Sequence, residues 1–186
     1  MPRLRIARPD QSEYIEYFHR YISLVPDGDL LELLDKQAAE TRTLLGPLPE
    51  HDARFCYAPD KWSIKEVVGH LADTERVMSY RAMCFARSDD TVLPSFDENA
   101  YVKSSRFNER QLSSLLAELG TVRAATIALF DGLSDDELMR RGRTPAGENS
   151  ARALAYMIAG HERHHQQILR DRYLTTLRAG SAAGAR

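Results

Sequence analysis

The chain has 186 residues and a formal net charge of -2 at pH 7, enough for one domain with its own core. No basic stripe of the kind a nucleic-acid binder carries runs through it, and no unbroken apolar stretch approaches the length of a transmembrane span. The opening residues, MPRLRIARPD, lack the apolar centre of a signal peptide, and Cys56 and Cys84 stand alone without metal-knuckle spacing. Together these features predict a soluble cytoplasmic protein with two reduced cysteines in or near its core.

The periodicity is helical nearly throughout. A short helix is expected over 11–24, with Tyr14, Phe18, Tyr21, Ile22 and Val25 on one side, broken by VPDGD. The first long helix runs over 29–45 and stops near GPLP. The second follows Trp62 and reaches Arg87, opening on Ser63 to Glu66 (SIKE), a sequence that can satisfy backbone donors reciprocally at a helix start. A long connection, SDDTVLPSFDENAYVKSSRF, leads to a third helix over 108–131, with Asn108 to Gln111 (NERQ) as its start signal. Ser134 to Glu137 (SDDE) opens a short turn of helix, and Asn149 or Ser150 caps the last long helix, over 150–175. No run alternates long enough to argue for a sheet. The expectation is an all-α four-helix bundle with a long crossover connection between helices two and three, forming one domain over 1–177, with a disordered tail at 178–186. That connection is long for a bundle loop, so helices two and three need not be antiparallel neighbours.

The chemistry-bearing residues concentrate in GHERHHQQ. At about 100° per residue, Leu154, Met157, Ile158, His161, His165, Ile168 and Leu169 fall within about 120° of arc. His161 and His165 therefore lie inside the apolar stripe, one turn apart. His164 and Glu162 lie on the two flanks. Buried neutral imidazoles need partners for their ring nitrogens, and a divalent metal is one; other side chains or water are the alternative. His70, in EVVGHLAD on helix two, adds a third imidazole from a flank that can face the bundle interior. Two histidines from one helix and one from another suit a metal site with an open coordination position.

His161 to His165 also spell H-E-x-x-H, the zinc-protease string. A protease would need a third ligand downstream. After Glu162 the only acidic residue is Asp171, which on an unbroken helix points about 120° away from His165. Ile168 stands where one protease class needs a glycine to turn the chain back. The protease reading is rejected, and Glu162 is taken as a chance match on a flank.

Three stretches taken in order, KWSIKEVVGHLADTERVMSYR, LPSFDENAYV and GHERHHQQI, resemble the DinB/YfiT-like family of metalloenzymes over 15–175. The resemblance implies a left-handed four-helix bundle, often a homodimer, with a divalent metal held by His70, His161 and His165. Zinc and nickel are the usual candidates. Some relatives are thiol S-transferases or isomerases that use low-molecular-weight thiols such as bacillithiol or mycothiol, and many have no assigned activity.

Asp73 and Glu75 are candidates for orienting a ligand histidine. Asp73 is equally well read as a solvated or helix-pairing acid, and Glu75 is more simply paired with Arg81 or with an arginine of another helix. Trp62 is read as packing before a helix cap, Asp97 and Tyr101 as candidate pocket walls, and His19 and His51 as surface residues. Two functions follow. One is an enzyme whose metal activates water or a small thiol against a small-molecule substrate, as a thiol transferase or hydrolase. The other is a non-catalytic metal-binding or small-molecule-binding stress-related bundle. Neither a nucleic acid nor a membrane is expected as a partner.

Overall fold

The computed structural model describes residues 6–184, without the side chains of 180–184; of the expected disordered tail at 178–186, residues 178–184 are helical and 185–186 lie outside the described residues. Four long helices form the bundle: α2 (Leu30–Leu45), α3 (Ile64–Ala86), α5 (Leu112–Asp131) and α7 (Ala151–Ile168). The start signals act as the sequence predicts at three of four places. Ser63 and Glu66 form a capping box on α3, Ser134 and Glu137 form one on the short α6 (Asp135–Met139), and Ser150 caps α7. The NERQ signal does not cap α5. That helix starts at Leu112, whose N–H donates to the distant Glu50 carboxylate, while Asn108 accepts from the Ser63 hydroxyl.

The 11–24 segment is more broken than expected. Two 3₁₀ turns, Gln11–Glu13 and Glu16–Phe18, precede a single turn, α1 (His19–Ile22). The connection after α3 holds a helix of its own, α4 (Glu98–Ser104), capped by Asp97. A small hairpin, β1 (Arg141–Thr144) with β2 (Gly147–Ser150), lies where no sheet was expected. Its strands are too short for a period of two to register, and its turn rests on Gly147 at φ 132°. After α7 the backbone passes through a π-helical stretch, Leu169–Leu174, into α8 (Thr175–Gly184). Cys84 is buried but Cys56 is exposed, contrary to the expectation of two core cysteines.

Around the bundle the order is α2, α5, α3, α7. Paired residues give the directions. Lys65 and Arg110, at the starts of α3 and α5, meet through a Lys65 Nζ bond to the Arg110 carbonyl, so these two are parallel neighbours. Tyr173 donates to the Trp62 carbonyl, so α7 runs against α3. The long connection between α3 and α5 thus carries the chain back along the bundle. A tight antiparallel hairpin would not need it.

The core is divided. One apolar cluster gathers Phe18, Ile22, Leu30, Leu34, Met78, Phe85, Phe130 and the first turns of α7. The other gathers Leu45, Ile64, Val68, Leu71, Phe107, Leu115, Leu119 and Tyr173. Between them every long helix contributes buried polar groups: Gln37 and Thr41, Thr74 and Glu75, Arg123 and Thr126, His161, Glu162 and Gln166. Helix α5 is long and apolar enough, by length and composition, to cross a membrane. Here its inner face carries Arg123 into this polar layer.

Helix α7 passes directly under α1 at Gly160. A Cβ there would stand 2.0 Å from the Tyr21 carbonyl oxygen. Gly160→Ala must therefore push α1 off α7, costing about 1–3 kcal/mol. Urea unfolding of that variant should show a lower midpoint with an unchanged slope.

Candidate metal centre

His70, His161 and His165 converge. Each offers one ring nitrogen, and these atoms lie within 4.8 Å of one another. The Nε2 atoms of His70 and His161 are 3.1 Å apart. Two nitrogens on one tetrahedral ion, each at about 2.0–2.1 Å, would stand roughly 3.3 Å apart, so this pair already has ligand spacing. His70 and His161 are each 5 % exposed. When Nδ1 of His70 carries the proton it points toward Thr74 Oγ1 at 3.4 Å, leaving Nε2 as the lone pair.

Burial sets the protonation state. It pushes His70 down to about 4. It also pushes His161 well below the ordinary imidazole value, with a smaller push from neighbouring imidazoles, and does the same to His165. At neutral pH the three are uncharged and hold lone pairs, the state a divalent ion requires. The donor set and its spacing fit such an ion.

The cluster forms one wall of a cavity of about 250 Å³. Phe18, Tyr21, Met78, Phe96 and Met157 supply its apolar lining, and Arg20, Glu98 and His164 its polar groups. His164 lies beside His165 and Tyr21, with ring centroids 5.3 and 5.4 Å away. The Trp62 ring centroid is 4.6 Å from that of His70, so this residue, read in the sequence as packing alone, also covers the site. The long connection does wall the cavity, but through Phe96 and Glu98. Asp97 is occupied as the cap of α4, and the exposed Tyr101 meets Phe96 edge to face, with ring centroids 5.4 Å apart. His19 and His51 are on the surface, as expected.

Neither acid candidate orients a ligand histidine; Glu75 takes the simpler role read in the sequence, an ion pair with an arginine of another helix. Glu75 does not reach a histidine or Arg81. Both its oxygens accept from Arg123, at 2.8 Å each. Asp73 pairs with Arg76 at 3.3 Å, also away from the cluster. Glu162 is no bystander: it is 2 % exposed, accepts from Arg123 at 2.7 Å and accepts from Thr41 at 2.6 Å. Its carboxylate is thus engaged by α2 and α5 and is not free to serve as the general base that the H-E-x-x-H string uses. Arg123 also donates to the Leu34 carbonyl and is itself 2 % exposed. The signal was present: Arg123 is a lone cation in an apolar helix, and Glu75 a lone acid in an apolar stripe. Helix α7 hid the rest, because over 151–162 it is buried on nearly every side and no flank is solvent.

A bundle of this topology with three inward imidazoles defines a class. The DinB superfamily profile matches residues 33–169, and the chain belongs to that superfamily. A protein of Geobacillus kaustophilus (strain HTA426) named "Putative metal-dependent hydrolase GK0616" is 24 % identical over 129 residues, 68 % of this chain and 72 % of that one. Among solved structures, YfiT from Bacillus subtilis, called a "probable metal-dependent hydrolase with an unusual four-helix bundle topology", superposes with a TM-score of 0.70 at 19 % identity. The superposition covers 88 % of this chain and 92 % of YfiT. A mycothiol-dependent maleylpyruvate isomerase superposes with a TM-score of 0.61 at 13 % identity, over 77 % of this chain and 60 % of the isomerase. At these identities the two structures show the shared fold.

Two outcomes follow for the metal-free protein. Arg123→Met leaves two carboxylates buried without their cation and should cost about 3–5 kcal/mol in denaturant unfolding, part of it recovered when Glu162→Gln is added. The second concerns pH. The unfolded chain takes up protons on its imidazoles below about 6.5, whereas the folded chain holds His70 neutral down to about 4. Stability is therefore nearly complete above 6.5 and falls as pH drops through that window, by about 1.4 kcal/mol per imidazole at pH 5.5. Urea midpoints at pH 7.5 and 5.5 measure it, and His70→Gln should reduce the difference.

Proposed function

We propose that this chain is a divalent-metal-dependent enzyme in which His70, His161 and His165 hold the ion. Water or a low-molecular-weight thiol is the nucleophile toward a small-molecule substrate in the adjoining cavity. The observation that carries this reading is the convergence of three neutral imidazoles, from two helices, on the wall of one open cavity. A structural site would be closed by a fourth protein ligand. Among the described residues, the two nearest acids in sequence to the ligands, Asp73 and Glu162, are both held by arginines instead.

Bound there, the ion supplies Lewis acidity, lowering the pKa of the nucleophile beside it. The chain does the rest. Thr74 and Trp62 hold the His70 ring, and Arg123, by fixing Glu162, holds the turn of α7 that carries His161. Phe18, Met78, Phe96 and Met157 keep bulk water from one side of the cavity and offer an apolar face to the substrate. The metal-dependent hydrolase naming of the Geobacillus and Bacillus relatives favours water as nucleophile, and the mycothiol-dependent isomerase keeps a thiol in view. Zinc and nickel are the ions we propose, three imidazoles being good ligands for both. A homodimer, which rests on the family resemblance, and a cytoplasmic location, which rests on the sequence features above, belong to the same proposal.

The first test is metal content by mass spectrometry on untagged protein. About one zinc or nickel per chain in the wild type, lost in His70→Ala and His161→Ala, is the expected result. A wild type that takes up neither ion after dialysis would overturn the reading. For the loaded protein, an ester and amide panel with and without added bacillithiol or mycothiol separates hydrolysis from thiol transfer.

A further inference from the structure

Arg20 differs from the arginines that carboxylates hold around the core, as does Arg81, whose Nη2 donates to the Pro94 carbonyl. Arg123, Arg76, Arg152 and Arg87 are each paired with a carboxylate. Arg20 has no such pair among the described residues, yet its guanidinium is held in place. It lies over two rings, 4.1 Å from the Tyr17 centroid and 4.8 Å from the Tyr21 centroid. One of its nitrogens, Nη2, donates to both hydroxyls, at 2.6 and 2.8 Å. A guanidinium has five N–H donors in a rigid fork, so Nη1 and Nε keep theirs for another partner. The rings have already removed much of the side chain's freedom, which lowers the entropy lost when that partner binds.

The partner's place is the cavity of the three histidines. Arg20 lines it, and Tyr21 joins the two ends: its ring centroid is 5.3 Å from that of His161. The cavity holds one acid, Glu98, which makes no salt bridge to Arg20 among the described residues. With three neutral imidazoles the wall charges cancel; with a divalent ion bound the cavity is net positive and favours an anion. The same cavity has an apolar lining that includes Phe18, Phe96 and Met157. We propose that the substrate is a small carboxylic acid. Its carboxylate is received by Arg20 in a charge-assisted, forked contact, its apolar part lies on Phe18, Phe96 and Met157, and its reacting group faces the histidines. This rests on the proposed function for the reacting end, but the carboxylate contact stands apart from it.

Two arms test it. In the first, metal-free protein is titrated into 4-fluorobenzoate and 4-fluorobenzamide, followed by ¹⁹F line width. The benzoate should broaden and the amide should not, and Arg20→Gln should abolish the difference. In the second, zinc-loaded protein is titrated calorimetrically with benzohydroxamate and 4-carboxybenzohydroxamate. The added carboxylate should tighten binding about tenfold, as a hydrogen bond to a charged group does. Arg20→Gln should remove that gain while leaving benzohydroxamate binding unchanged, and Arg20→Lys should keep part of it. Equal binding of acid and amide in the first arm overturns the proposal, and so does a carboxylate gain that survives Arg20→Gln in the second. If the protein binds no zinc, the metal reading fails by itself, and the fluorobenzoate arm alone decides for or against Arg20. Because Arg20 is an exposed side chain, its variants should keep the wild-type circular dichroism spectrum.

Discussion

The structure turns on one buried cation. Arg123 joins α5 to Glu75 of α3, to Glu162 of α7 and to a carbonyl of α2, so a single guanidinium touches all four long helices. It sits between two apolar clusters that would each tolerate a helix sliding or turning, since leucine against leucine has little register of its own. A buried carboxylate that loses its partner costs several kcal/mol, so the polar layer permits one register only.

That register determines where the histidines point. His70 is five residues before Glu75, about 140° away around α3. Once Glu75 is turned toward α5, His70 is turned toward α7. Glu162 follows His161 directly, about 100° away around α7. Its attachment to Arg123 and Thr41 leaves His161 and His165 facing α3 and the cavity. The charged cluster and the imidazole cluster are thus two faces of the same layer, one holding the helices and the other holding the chemistry. The imidazoles remain neutral because the apolar clusters above and below keep water from them.

The cavity belongs to different parts of the chain. The histidines come from α3 and α7, but the surfaces a small molecule would meet come from the N-terminal turns and the long connection: Phe18, Arg20 and Tyr21 on one side, Phe96 and Glu98 on the other. The solved structures that share this fold do so at only 19 and 13 % identity, so most positions have changed under one architecture. Loops and short turns tolerate such change because they carry little of the core.

The long helices, their caps at Ser63, Ser134 and Ser150, and the facing of His161 and His165 were legible from spacing, because helix period and capping are local. So was the pairing of candidate ligands, since residues four apart on a helix share a face wherever that helix packs. The hairpin at 141–150 and the capping of α5 by Glu50 were not legible, since one is too short for a period and the other is made by a residue far along the chain. Nor was the role of Glu162, assigned to a flank because helical geometry alone does not say whether a flank meets solvent or another helix. The sequence by itself determined which side chains share a helical face. Only the tertiary structure decided which acid meets Arg123, which histidines meet one another and which arginine lines their cavity without a carboxylate, because each depends on segments distant in sequence packing together.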